Sequence, residues 1–165
     1  FKKGEIAFLS QNHEISFDIK VRELLLMGRF RFKKTFENYS VDDIYAIENI
    51  ANELNISSFL DKYFSELSGG EQQLVLIAQV LVQDAEIYLF DEPTQNLDLK
   101  NGHFIMNLIS ELPQKNKTVI CTTHDLHLLE NVNGEIVNFS SDKVENLKIG
   151  IESIKEQIDI LKGIA

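Results

Sequence analysis

The stretch from Leu67 to Asp98, LSGGEQQLVLIAQVLVQDAEIYLFDEPTQNLD, decides how the rest of the chain is read. Ser68, Gly69 and Gly70 make a turn that opens an apolar helix. A helix N-terminus offers unpaired N–H groups and the positive end of a dipole, which suits a phosphate. Glycine lets the backbone approach a ligand with no Cβ in the way. The helix is expected over Gly70 to Val82, apolar nearly all round and therefore buried on most sides. A short apolar strand, Ile87 to Phe90, then ends in Asp91, Glu92 and Pro93. Adjacent carboxylates at the carboxyl end of a buried strand suit a metal ion and an activated water. Taken one at a time, the same residues also read as a serine N-cap with a glycine pair, and as two acids capping a turn. Together they point to hydrolysis of a nucleoside triphosphate.

Composition sets limits around that stretch. The 165 residues, 44% of them hydrophobic, suffice for one domain with a core of its own. With 26 acidic and 16 basic residues the net charge is −10, which argues against a nucleic-acid surface and a polybasic membrane tether. The single Cys121 excludes an internal disulfide. No apolar run reaches the ~20 residues of a membrane-spanning helix. The opening FKKGEIAFLS has no secretory apolar core, because Gly4 and Glu5 interrupt it. It lacks an initiator methionine and enters strand-like sequence almost at once, which reads as an internal fragment or a chain whose upstream part is absent.

Upstream, Glu5 to Leu9 is a short apolar strand that ends in the polar turn Ser10-Gln11-Asn12-His13. Val21 to Arg29 is a helix closing near Gly28. Arg29 to Lys34, RFRFKK, is a solvated loop or a contact surface for a partner, and the loop is the simpler reading. Asp42 to Leu54 places Ile44, Ile47, Ile50, Ala51 and Leu54 on one buried face, with Asp42 and Asp43 in the first turn, where the dipole favours negative charge. A second short helix, Ser57 to Tyr63, is expected next, capped by Ser57 or Ser58. Downstream, a helix from Leu99 to Leu112 stops at Pro113. Thr118 to Thr122 is a β-branched run, expected as a fully buried parallel strand. Thr123-His124-Asp125 ends it, and Leu126 to Glu130 starts a short helix. Glu135 to Ser140 and Lys143 to Leu147 make a hairpin around Ser141-Asp142, and Ile151 to Leu161 closes the chain as a helix. Strands alternating with helices over short loops give an α/β fold with a mostly parallel sheet.

In this order, Gln11, LSGGEQ, IYLFDEP, NLD and TTHD resemble the nucleotide-binding domain of ATP-binding-cassette (ABC) ATPases over nearly the whole chain. The resemblance implies a P-loop NTPase-like, mostly parallel sheet with an inserted helical subdomain. Residues 1–11 would run from a strand to the Q-loop, and 12–66 would form the helical subdomain. Residues 67–134 would carry the signature, Walker B, D-loop and switch histidine, and 135–165 a C-terminal hairpin and helix. ATP and Mg²⁺ are the implied ligands. Asp91 and Gln11 would lie at the metal, Glu92 would polarise the attacking water, and His124 would hydrogen-bond the γ-phosphate. Asp98 closes the implied D-loop, Asn96-Leu97-Asp98. Ser68, Gly69, Gly70 and Glu71 would close over ATP held by the opposite subunit of a head-to-tail dimer, so that each site is composite. A transmembrane permease is the other implied partner, and nucleic acid is not one. The place implied is cytoplasmic, peripheral on the inner face of the cell membrane. Read alone, Gln11 would be a polar loop residue and His124 a strand-end histidine; His13, His103 and His127 are surface or structural.

The chain departs from the family pattern in two places. A phosphate loop of the form G-x-x-x-x-G-K-[ST] is expected before Gln11, yet no Gly-Lys pair occurs, so the N-terminal Walker A part is absent, with the aromatic that stacks on adenine. By itself such a chain is expected to be inactive, and loss of the Walker A strand to leave apolar neighbours exposed. The alternative is a non-catalytic, dimerising or regulatory module that contributes only its signature loop. Leu74 and Gln79 stand where the family usually has basic residues. Gln11 to Leu67 carries no long coiled-coil insertion and no Cys-x-x-Cys pair, which favours a transport ATPase over chromosome-maintenance or DNA-repair relatives. VRELLLMGR before an aromatic linker resembles importers of iron chelates, cobalamin, zinc or manganese, and LDLKNG and HDLHLLENV fit that group.

Overall fold

The computed structural model describes residues 4–11, 15, 17–33, 37–130, 132–138, 145–149 and 154. Strands β1 (Ile6–Leu9), β2 (Ile87–Asp91) and β3 (Thr118–Thr122) form a parallel sheet in that order. Leu9 pairs with Phe90 and Phe90 with Cys121, so the three carboxyl ends lie side by side. Parallel neighbours need long crossovers. Helices α1 (Val21–Gly28), α2 (Val41–Glu53) and α3 (Gly69–Leu81) lie between β1 and β2, and α4 (Leu99–Glu111) lies between β2 and β3. Strands β4 (Glu135–Asn138) and β5 (Glu145–Lys148) pair antiparallel as the expected hairpin. Its turn, Ser141-Asp142, lies outside the described residues, as does the expected helix Ile151 to Leu161 apart from Ile154, which is helical and buried.

Helix α3 is the centre of the core. Gln73, Leu74, Val75, Leu76, Ile77, Ala78, Val80 and Leu81 are all buried, and the helix packs on α1, α2 and β1. Each fully buried Val, Leu or Ile there contributes on the order of 2 kcal/mol. Leu74, at a position where a basic residue was expected, belongs to this core. Among the described residues no buried side-chain nitrogen or oxygen lacks a partner, so the exchange orphans no acid. The end of α1 meets the end of α3 so closely that a Cβ on Gly28 would lie 2.7 Å from the Gln79 carbonyl oxygen. Only glycine fits there.

Several local expectations need correction. Arg29–Phe32 is a 3₁₀ turn whose Phe30 and Phe32 are exposed, as a solvated segment would be, but Arg29 points inward. Its Nε donates to Asp43 Oδ1 at 3.1 Å and its Nη1 to the Val82 carbonyl at 2.8 Å. Asp43 is consequently buried, and the inward stripe of α2 runs through 43, 47, 51 and 54. Ile44, one residue off that stripe, is 40% exposed. The helix expected from Ser57 to Tyr63 is only a 3₁₀ turn, Ser57–Phe59, whose serine hydroxyl donates to Asn52 instead of capping. Pro113 does not stop α4 outright; it opens a 3₁₀ turn, Leu112–Lys115, which Asn116 closes at φ 60°.

Strand β3 is not fully buried. Its Ile120 is 60% exposed, and on the same face of the sheet Phe8 of β1 is 55% exposed. Apolar residues on both faces made the strand read as buried, but burial of the second face requires an element packed on it. Among the described residues, β3 pairs only with β2. Beside it lies a cavity of about 850 Å³, lined by Val119, Ile120 and Cys121 with Met106, Ile109 and Leu126.

Candidate active site

The carboxyl ends of the three parallel strands bring together residues far apart in sequence. β2 ends in Asp91 and Glu92, and β3 ends in Thr122, followed by Thr123 and His124. Glu92 Oε1 lies 2.9 Å from His124 Nδ1. The Glu92 side chain is mostly covered and that of His124 is open to solvent. The hydrogen bond to Glu92, and then its charge, push the His124 imidazole above its ordinary pKa of 6.5. With Nδ1 turned to Glu92, Nε2 is left to meet an incoming group.

Thr122 fixes both acids, and sequence reading missed it. Its hydroxyl donates to Asp91 Oδ1 at 2.6 Å and accepts the Glu92 backbone N–H at 3.1 Å. The same N–H also reaches the Thr122 carbonyl at 3.3 Å. These contacts hold Glu92 at φ 51°, a left-handed conformation that a glutamate adopts only when its surroundings impose it. A hydroxyl residue at the end of the neighbouring strand, register-paired with Asp91, was the available signal.

Ser68 sits at the N-cap of α3, as its position before the apolar helix suggested. Its hydroxyl accepts the Glu71 N–H at 3.4 Å and donates to Glu71 Oε2 at 2.7 Å, while Glu71 Oε2 also accepts the Ser68 N–H at 2.8 Å. This closed capping box satisfies two helix-end donors, and the bonds from Ser68 hold the exposed Glu71 carboxyl below its ordinary pKa. Gly69 and Gly70 lie over the turn that follows Glu92: a Cβ on Gly70 would come within 3.0 Å of the Asn96 carbonyl oxygen. Asn96 itself is left-handed, at φ 63°. Asp98 N-caps α4, accepting the Asn101 N–H at 2.8 Å.

Gln11 is exposed, two residues beyond β1. Among the described residues no hydrogen bond joins it to Asp91 or Glu92. It shares with them only the carboxyl edge of the sheet. That edge fits a magnesium ion that arrives with a nucleotide, since Mg²⁺ takes one or two protein oxygens and completes its shell with phosphates and water. Asp91 retains Oδ2 for it beyond the oxygen held by Thr122. No cluster of three His, Cys, Asp or Glu able to hold a metal alone occurs among the described residues. None of the described helices is long and apolar enough to cross a membrane.

Residues 1–95 match the family described as ABC transporter. The chain is 28% identical to the manganese transport system ATP-binding protein of Halalkalibacterium halodurans over 144 residues, 86% of this chain and 58% of the relative. It is 35% identical to the molybdate import ATP-binding protein of Haemophilus influenzae over 120 residues, 72% of this chain and 47% of the relative. A solved structure assigned to the metal-chelate type of ABC transporter, in an inward-facing conformation, superposes with a TM-score of 0.77 at 29% identity. It covers 87% of this chain and 58% of that one. The chain thus spans about half the length of the curated relatives it matches.

Proposed function

Because the chain belongs to the ABC transporter family, we propose that it is part of an ATP-hydrolysing subunit that drives an importer of a metal ion or metal chelate. The observation that carries this reading is the Glu92–His124 contact of 2.9 Å at the carboxyl end of the sheet, with Asp91 beside it. Glu92 is the base that takes a proton from the attacking water. His124 holds the base in place through Nδ1 and presents Nε2 to the γ-phosphate, where negative charge grows as the bond breaks. Asp91, oriented by Thr122, and Gln11 would hold Mg²⁺, which when bound would neutralise phosphate charge. Ser68, Gly69, Gly70 and Glu71 face ATP held by the second subunit of a head-to-tail dimer. The permease is the membrane partner, and the subunit sits on the cytoplasmic face. The choice of cargo rests on relatives named for manganese, molybdate and siderophore transport.

Residues 1–165 contain no Gly-Lys pair to cradle the β- and γ-phosphates, so this segment alone is predicted to be inactive. The test is hydrolysis by the full-length subunit, in which these residues are joined to a phosphate-binding segment. Phosphate release that requires Mg²⁺, and that falls by about 10²-fold or more in Glu92→Gln, supports the assignment. Turnover unchanged by Glu92→Gln contradicts it. A full-length protein that dimerises yet never hydrolyses ATP favours the non-catalytic module instead.

A further inference from the structure

Gln73 is a polar side chain in a helix whose next five residues, Leu74 to Ala78, are all buried. It is itself only 9% exposed, and its Nε2 donates to the Pro93 carbonyl oxygen at 2.9 Å. A buried amide left unpaired is costly, so the bond fixes the side chain firmly. Proline has no N–H. Its carbonyl is therefore the one main-chain group through which Pro93, the residue after Glu92, can be held. One helical turn before Gln73, Gly70 lies close against the Asn96 carbonyl, where a Cβ would sit a tight 3.0 Å from the oxygen. Positions three apart share a helix face. Helix α3 therefore grips the 92–98 turn at two points on one face, Gly70 on Asn96 and Gln73 on Pro93.

We propose that Gln73 is a positioning residue for ATP hydrolysis, tying the turn that carries Glu92 to the helix that carries Ser68. The inference rests on the function given above. If Ser68 faces the neighbour's nucleotide and Glu92 the chain's own, the Gln73–Pro93 bond is a rigid link between two nucleotide sites. A shift of α3 on engaging one nucleotide is transmitted to the base that acts on the other, which is a coupling between sites.

The test uses the full-length subunit in its dimeric form, comparing wild type with Gln73→Met, which keeps length and volume but removes the donor. Expected are a fall in kcat of about tenfold, a KM for ATP within about twofold of wild type, and a Hill coefficient dropping toward about 1. Loss of folded enzyme would also lower the apparent kcat at unchanged KM but would leave the Hill coefficient where it was, so the fall in the Hill coefficient is the discriminating readout. Unchanged kcat and cooperativity in a folded Gln73→Met protein overturn the proposal, as does a loss confined to KM. Should that variant fail to fold, Gln73→Leu, apolar and without any donor, is measured in the same way. Failure of both to fold also overturns it, because the bond then serves folding and not turnover. Glu92→Gln assayed in parallel separates the two readings. Full activity there contradicts the function itself, whereas loss there with full activity in Gln73→Met contradicts only the role of Gln73.

Discussion

Glu92 and His124, 32 residues apart in sequence, meet at 2.9 Å because β2 and β3 are parallel neighbours whose carboxyl ends coincide. The pair places a carboxylate and an imidazole side by side. Its electrostatics are directly measurable. The imidazole is held above its ordinary 6.5 by the hydrogen bond and charge of Glu92. NMR titration should therefore show His124 titrating above its ordinary value, and Glu92→Gln should bring it back down. A raised folded pKa means that the pair's contribution to stability is fully present below about pH 6.5 and is lost as pH rises through the folded value. The contribution is small, because the ring is open to solvent.

Ser68 has two jobs that one substitution can separate. As N-cap it supports α3, and removing such a cap costs about 1 kcal/mol. In the proposed mechanism its hydroxyl also faces a phosphate. Ser68→Gly costs an N-cap only a few tenths of a kcal/mol but removes the hydroxyl that would meet the phosphate. Its denaturation midpoint should stay near wild type while hydrolysis by the full-length subunit falls. Ser68→Ala should lose both. Retained turnover in Ser68→Gly would leave the serine with capping alone.

Asp43 is a buried charge in the helical region. Burial pushes its carboxyl up, but hydrogen bonds from the Ser40 N–H and hydroxyl, and from Arg29, more than offset this and hold it at about 2. The depressed folded value means that its stabilisation is present above the unfolded pKa, near 3.8, and is lost as pH falls toward 2. At pH 7 the shift corresponds to about 2 kcal/mol. Asp43→Asn should destabilise by roughly that amount at neutral pH, measured by urea unfolding, and the difference should narrow as pH falls below 3.8 and close only toward pH 2. A deficit that persists in acid would assign the loss to packing and not to charge.

What the sequence made legible was local. Ser68 before an apolar helix and Asp91-Glu92 after four strand residues carry their own placement, and the parallel sheet followed from β-branched and apolar runs separated by helices. The hydrogen bonds among those residues were not legible, because Thr122 and Gln73 act across 30 and 20 residues of chain. Asp43 read as a dipole-facing acid since its partner, Arg29, lay in a segment that looked solvated. Ile120 read as buried since a strand's sequence records what can be covered, not what covers it.

In the proposed mechanism Leu67–Asp98 serves two nucleotides, with the signature facing a neighbour's and the carboxylates facing the chain's own. Mixed dimers of the full-length subunit test it most directly, using Ser68→Arg as the signature lesion and Glu92→Gln as the catalytic one. With one lesion on each subunit, both fall in a single composite site and the other site is intact. With both lesions on one subunit and a wild-type partner, each site is damaged. The account predicts ATP hydrolysis by the first dimer and none by the second. Hydrolysis by the second and none by the first would show that each signature serves its own chain's nucleotide, and would contradict it.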